Sequence, residues 1–144
     1  VSATPGRTQQ LNFFRLNDCC FLVDVPGYGY AKAAKNKVAG WQGTLKHYLR
    51  ARPVLKRIFV LIDARHGILA ADETMLTELD RAAQSYQIVL TKADEVPTTK
   101  HAALQEATLA LASKHVAAYP ELLITSSKTK LGITGLRTVI YGLL

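Results

Sequence analysis

The chain is predicted to be an α/β protein, with a mostly parallel sheet and helices on both of its faces. Three observations lead there. Continuous apolar runs at 58–62, 88–90 and 122–124 read as strands buried on two sides. Stretches with helical apolar spacing lie between and after them, so strand and helix alternate, the pattern that builds a parallel sheet between helix layers. Ahead of them, residues 11–16 and 20–25 are two apolar runs separated by the turn pair Asn17-Asp18, which adds one antiparallel hairpin.

The elements follow in order. After the hairpin, residues 26–30 form a loop with Gly27 and Gly29. From 38 to 50 the pattern is helical, with Trp41, Leu45, Tyr48 and Leu49 near one face. The run Ile58-Phe59-Val60-Leu61-Ile62 is the first buried parallel strand. Asp72 opens a helix carrying Met75, Leu76 and Leu79. Ile88-Val89-Leu90 is the second buried strand, residues 98–118 an Ala/Leu-rich helix, Leu122-Leu123-Ile124 the third strand, and residues 136–144 a closing helix.

A length of 144 residues suits one domain with a substantial core, and 49% hydrophobic residues argue against disorder. No apolar run approaches the ~20 residues that span a bilayer, and the polar first ten residues do not resemble a signal peptide. A protein without membrane contact is expected. Cys19 and Cys20 are adjacent, where a disulfide would be strained; two reduced thiols and a cytoplasmic setting fit. Charge is unevenly placed. Residues 1–57 hold ten Lys/Arg against Asp18 and Asp24, a net charge of +8, whereas 58–144 carry −1. Such a field attracts a polyanion, most simply RNA, although a solvated basic face that keeps a protein soluble looks the same.

Ligands of α/β sheets bind beyond the carboxyl ends of the strands. Three short motifs fall there. Asp24-Val25-Pro26-Gly27 ends a strand with a carboxylate that can hold Mg²⁺, and Gly27 lets a backbone N–H approach a phosphate; it is equally an ordinary Pro-Gly turn. Thr91-Lys92-Ala93-Asp94 follows the second buried strand. A carboxylate at Asp94 can accept from the N1–H and exocyclic amine of guanine, a donor pair that adenine lacks, and the Lys92 stem can lie on the base face. The same Asp also fits a plain helix cap. Ser126-Ser127-Lys128 follows the third strand, with backbone N–H groups suited to the guanine carbonyl oxygen, or is a simple polar loop. Thr4-Pro5-Gly6-Arg7-Thr8-Gln9 carries hydroxyls that can ligate Mg²⁺ beside a nucleotide, or is a flexible amino terminus.

Together these stretches resemble the EngB family (also called YihA or YsxC), bacterial GTPases of ribosome assembly. The likeness rests on Thr4 to Gln9 with Asn12-Phe13-Phe14, on Asp24-Val25-Pro26-Gly27-Tyr28-Gly29-Tyr30-Ala31-Lys32, on Asp63-Ala64-Arg65-His66, on Thr91 to Asp94 and on Ser126-Ser127. It implies a three-layer, small-GTPase-like domain of the P-loop NTPase class over residues 1–144, with GTP or GDP as ligand and Mg²⁺ as cofactor. Carried over by position, Gly6, Arg7, Thr8, Gln9 and Gln10 form the first switch, and Thr8 and Asp24 ligate the metal. Asp24, Val25, Pro26 and Gly27 face the γ-phosphate. Thr91, Lys92, Ala93 and Asp94 hold guanine, and Thr125, Ser126 and Ser127 cap it. No side chain is assigned as catalytic: Tyr28 stands where signalling GTPases carry a water-orienting Gln, so slow or assisted hydrolysis is implied. The resemblance also implies a monomer that assists assembly of the large ribosomal subunit through it or its rRNA, in a family linked to cell division and septation. Lys32, Lys35 and Lys37 follow the second switch and would face RNA or the ribosome.

No Gly-x-x-x-x-Gly-Lys-Ser/Thr occurs in residues 1–144. In the resembled family that phosphate loop precedes the first switch, between the first strand and first helix. The sequence thus reads as a G domain without those elements, most simply a partial sequence, with GTP affinity expected to fall by orders of magnitude. The alternative is a non-hydrolysing relic or fragment that acts only as an RNA- or ribosome-binding module. The family's first strand is central, so the strands ending at Val25 and Ile62 are expected to close the gap, leave backbone groups unpaired or recruit another chain.

Overall fold

The computed structural model describes residues 11–25, 27, 28, 43 and 45–144. The first switch, Gly6 to Gln10, and the basic residues Lys32, Lys35 and Lys37 lie outside the described residues, as do Pro26 and Trp41. The chain divides into two compact units, residues 1–53 with Leu144, and residues 54–143.

In the first unit, β1 (Asn12–Leu16) and β2 (Cys20–Asp24) form the expected antiparallel hairpin, with Phe14 opposite Leu22 and Leu16 opposite Cys20. Asn17 enters the turn at φ 48°, a left-handed conformation that Asn tolerates, and Cys19 N–H donates to Leu16 O at 3.2 Å. Cys19 therefore lies in the turn rather than the strand, and both cysteines are free thiols. On one hairpin face the Phe13 ring meets Phe21 edge-on at 6.4 Å and Tyr48 at 6.2 Å. Tyr48 belongs to the helical stretch 45–51, and the Arg52 guanidinium lies 5.4 Å from the Phe13 ring and 5.3 Å from that of Tyr48. The aromatic side chains thus fasten strand to helix, each pairing contributing of order 1 kcal/mol.

In the second unit β3 (Ile58–Asp63), β4 (Tyr86–Thr91) and β5 (Leu123–Ile124) form a parallel sheet in the order β3-β4-β5. The register runs from Ile58 opposite Tyr86 to Asp63 opposite Thr91, and Leu90 pairs with Ile124. The central strand behaves as its apolar run predicts: Tyr86, Gln87, Ile88, Val89 and Leu90 are all buried. Strand β3 does not. Val60 and Ile62 are buried, but Leu61, pointing to the other face, is 62% exposed. Among the described residues β3 pairs within its sheet with β4 alone.

Helix α1 (Ala70–Arg81) starts two residues earlier than Asp72, which acts as its cap: the Asp72 carboxylate accepts the Leu69 N–H at 2.7 Å. Met75, Leu76 and Leu79 form its buried stripe. The expected helix over 98–118 is shorter. A 3₁₀ turn (Thr98–Lys100) leads into α2 (His101–Ala112), and the chain then leaves the helix. The apolar pattern continued, but tertiary bonds override it. The Asp80 carboxylate takes His115 Nδ1 at 2.6 Å and the Ala117 N–H at 2.9 Å, and Ala118 bridges to Tyr86. The closing helix α3 (Ile133–Gly142) begins three residues ahead of the expected start, because Gly132 adopts φ 69° and its carbonyl accepts the Leu136 N–H.

Candidate nucleotide-binding site

Four of the assigned residues lie where β4 ends. Thr91 is its last residue, and its hydroxyl donates to Ile62 O on β3 at 3.3 Å. Lys92 then takes a left-handed conformation, φ 56° and ψ 36°. For a residue with a Cβ this costs about 1–2 kcal/mol, so its surroundings must hold it there. The 3₁₀ turn Ala93–Glu95 follows, with Ala93 wholly buried and Asp94 exposed.

The loop after β5 closes against this turn. Thr125 is buried, and its N–H and hydroxyl both donate to Leu90 O, at 2.7 and 2.9 Å. Its own carbonyl accepts the Ala93 N–H at 3.0 Å. Ser126 is wholly buried, and its hydroxyl donates to Asp94 Oδ1 at 2.6 Å while accepting the Thr129 N–H at 3.1 Å. The Ser126 N–H is spent on Leu131 O at 3.0 Å. Of the backbone donors expected to face a guanine carbonyl oxygen, that of exposed Ser127 is the one this leaves at the centre of the motif. One oxygen of Asp94 is fixed from inside the protein, and the carboxylate stands in solvent reach at the carboxyl end of the sheet.

Two residues that the motifs did not single out build this geometry. His101 Nε2 lies 3.0 Å from Ala93 O and 2.9 Å from Val96 O. Carbonyls only accept, so Nε2 carries a proton and ties the Asp94 turn to the start of α2. Gly132 is the second. A Cβ placed there would lie 2.0 Å from Ile124 O, so the last strand and the start of α3 approach as only glycine permits. A glycine just before the closing helix was visible in the sequence; the approach it permits was not.

Asp63, the last residue of β3, sits beside them. Arg65 grips it with Nε 3.0 Å from Oδ1, Nη2 2.7 Å from Oδ2 and its N–H 3.0 Å from Oδ1. Lys92 Nζ lies 3.1 Å from Oδ2. The Arg65 guanidinium first, and then its N–H and Lys92, hold the Asp63 carboxyl well below the usual carboxylate range, against an opposing effect of burial. Asp24, an exposed residue at the end of β2, Val25 and Gly27 belong to the first unit.

A parallel sheet with Thr-Lys-Ala-Asp after one strand and Ser-Ser-Lys after the next has the build of the GTP-binding α/β proteins. The profile of the family described as 50S ribosome-binding GTPase matches residues 1–92. The chain belongs to the EngB family of GTP-binding proteins. It is 51% identical over 140 residues to the "Probable GTP-binding protein EngB" of Cereibacter sphaeroides, covering 97% of this chain and 64% of that protein. It is 52% identical to the protein of the same name from Rhodopseudomonas palustris, covering 100% of this chain and 68% of the relative. The chain thus spans about two thirds of the length of these relatives. Among solved structures, a probable GTP-binding protein EngB superposes with a TM-score of 0.72 at 14% identity, over 94% of this chain and 84% of that one. Era, in complex with MgGDPNP and a segment of 16S ribosomal RNA, superposes with a TM-score of 0.74 at 19% identity, over 100% of this chain and 47% of its own. These two likenesses concern the fold.

Proposed function

We propose that residues 1–144 are part of one G domain that binds GTP and GDP, hydrolyses GTP and assists assembly of the large ribosomal subunit in the cytoplasm, with a link to cell division. The observation that carries the guanine reading is the Asp94 carboxylate, anchored through Oδ1 by buried Ser126 and otherwise open. A carboxylate so fixed accepts the paired N–H donors of guanine without first being ordered, and leaves adenine without partners. Thr91, Lys92 and Ala93 set its position, while Thr125 and Ser126 brace it and Ser127 offers the N–H for the base oxygen.

Mg²⁺ is the implied cofactor. Asp24 suits a single, water-mediated contact to a hard cation, and Thr8 is the second proposed donor. Among the described residues no three His, Cys, Asp or Glu side chains group together. When bound, the ion would neutralise charge on the transferring phosphoryl group. Among the described residues no helix is long and apolar enough to cross a membrane.

The ribosomal part of the reading is supported by the family description and by the +8 charge of residues 1–57, which carries Lys32, Lys35 and Lys37. Era's complex with ribosomal RNA is a parallel from a protein of similar fold. The same charge favours a second reading, in which the chain binds RNA without turning over nucleotide. Titration with fluorescent GDP against ADP tests the first. A preference for GDP of at least ~100-fold is expected from paired hydrogen bonds; equal affinity for both would overturn it.

A further inference from the structure

The motif Asp63-Ala64-Arg65-His66 marks the family but has no task in the reading above. The structure gives its first member one. Asp63 lies opposite Thr91 in the β3–β4 register, one residue before Lys92. The left-handed turn at Lys92 sends its side chain back across the strand ends, where its ammonium meets Asp63 Oδ2 at 3.1 Å. A lysine stem normally samples many rotamers. Here both ends are fixed, one by the backbone turn and the other by an ion pair. The carboxylate itself does not swing, since Arg65 holds both of its oxygens.

We propose that Asp63 is a positioning residue for base binding: locked by Arg65, it anchors the Lys92 ammonium so that the aliphatic stem is already laid out as a wall of the base slot beside Asp94. This rests on the guanine reading of the same site. The division of labour is chemical. Asp94 reads the hydrogen-bonding edge and so distinguishes bases. The Lys92 stem touches a face that every purine has, so fixing it strengthens binding without changing preference.

The test separates the holding step from its consequence. In the nucleotide-free protein, ¹⁵N-detected NMR of lysine side chains should show one restrained ammonium, assigned by Lys92→Arg, that becomes mobile in Asp63→Asn while the backbone amide spectrum is retained. GDP and IDP are then titrated. Asp63→Asn should weaken both by about fivefold, the worth of one partly exposed ion pair, with their ratio unchanged. Asp63→Glu, which keeps the charge, should recover most of the loss. A mobile Lys92 ammonium in the unmodified protein overturns the proposal. So does undiminished GDP affinity in Asp63→Asn, or a changed GDP to IDP ratio. If the unmodified protein shows no preference for GDP over ADP, the guanine reading fails and the proposal with it, an outcome distinct from the others.

Discussion

The two ends of β4 carry polar clusters of similar make-up and opposite character. At the amino end Asp80 spends both oxygens internally, on His115 and the Ala117 N–H. Arg57 stacks 4.0 Å from the Tyr119 ring and donates to buried Gln87 at 3.0 Å. Everything there ties the chain after α2 to the sheet. At the carboxyl end Asp94 spends one oxygen on Ser126 and stands exposed, and Lys92 is more than half exposed. A polar cluster whose carboxylate spends both oxygens inside the protein is a fastening; one that is braced from within yet open outward can bind a ligand. The distinction lies in where the hydrogen bonds go rather than in which residues are present.

The most severe test of this contrast is Gly132→Ala. Its Cβ would collide with the Ile124 carbonyl, so the loop carrying Ser126 must move. About 4 kcal/mol of stability should be lost by chemical denaturation, as steric conflict with the backbone predicts; a loss below about 1 kcal/mol would show that the close approach is dispensable. Asp80→Ala should cost about 2 kcal/mol by leaving part-buried donors unpaired, with nucleotide preference unchanged, since the fastening end has no part in the proposed recognition. Asp94→Asn should do the reverse. Stability should stay within about 0.5 kcal/mol, because an amide oxygen still accepts from Ser126, while preference for GDP over ADP falls by about 100-fold. If Asp80→Ala altered preference, or Asp94→Asn left it intact, the two ends would not differ as described.

The smallest effects lie in the pH profile, where each end governs one limb. The Asp63 carboxyl is held below its ordinary value, so its stabilisation is complete above the unfolded pKa of about 4 and is lost as pH falls below it. Burial raises the Tyr86 hydroxyl, with nearby Asp80 adding to the shift. Its contribution is therefore complete below about pH 10 and is lost as pH rises beyond. Thermal melts should show Asp63→Asn flattening the acid limb and Tyr86→Phe the alkaline limb. Tyr86→Phe should also be neutral or slightly stabilising at pH 7, since the buried hydroxyl has no hydrogen-bond partner among the described residues.

Much of this was legible in the residues. The hairpin, the three parallel strands and the loops after them follow from apolar runs and turn pairs, and the placing of Thr91 to Asp94 beside Thr125 and Ser126 follows from the alternation of strand and helix. The rest depends on contacts distant in sequence. Helix α2 stops at Ala112 because Asp80, far upstream, captures the chain beyond it. Leu61 looks like core in a run of five apolar residues but is exposed on a strand that, among the described residues, is paired on one side. His101, with no motif around it, secures the turn that carries Asp94. The Asp63–Lys92 pair joins residues that each looked informative, but only the sheet register shows them to be neighbours.

That register also sets an order of events during folding. The hairpin joins residues close along the chain and can close in microseconds. Strand β4 must wait, because its partners are Ile58 to Asp63 on one side and Leu123 to Ile124 on the other, each brought together only after a long intervening segment collapses. Until then Tyr86-Gln87-Ile88-Val89-Leu90-Thr91, uncharged and rich in β-formers, is without its neighbours. It is the stretch through which unfolded copies would adhere to one another, so the strand that supports the proposed binding site also determines how quickly this chain must fold to stay in solution.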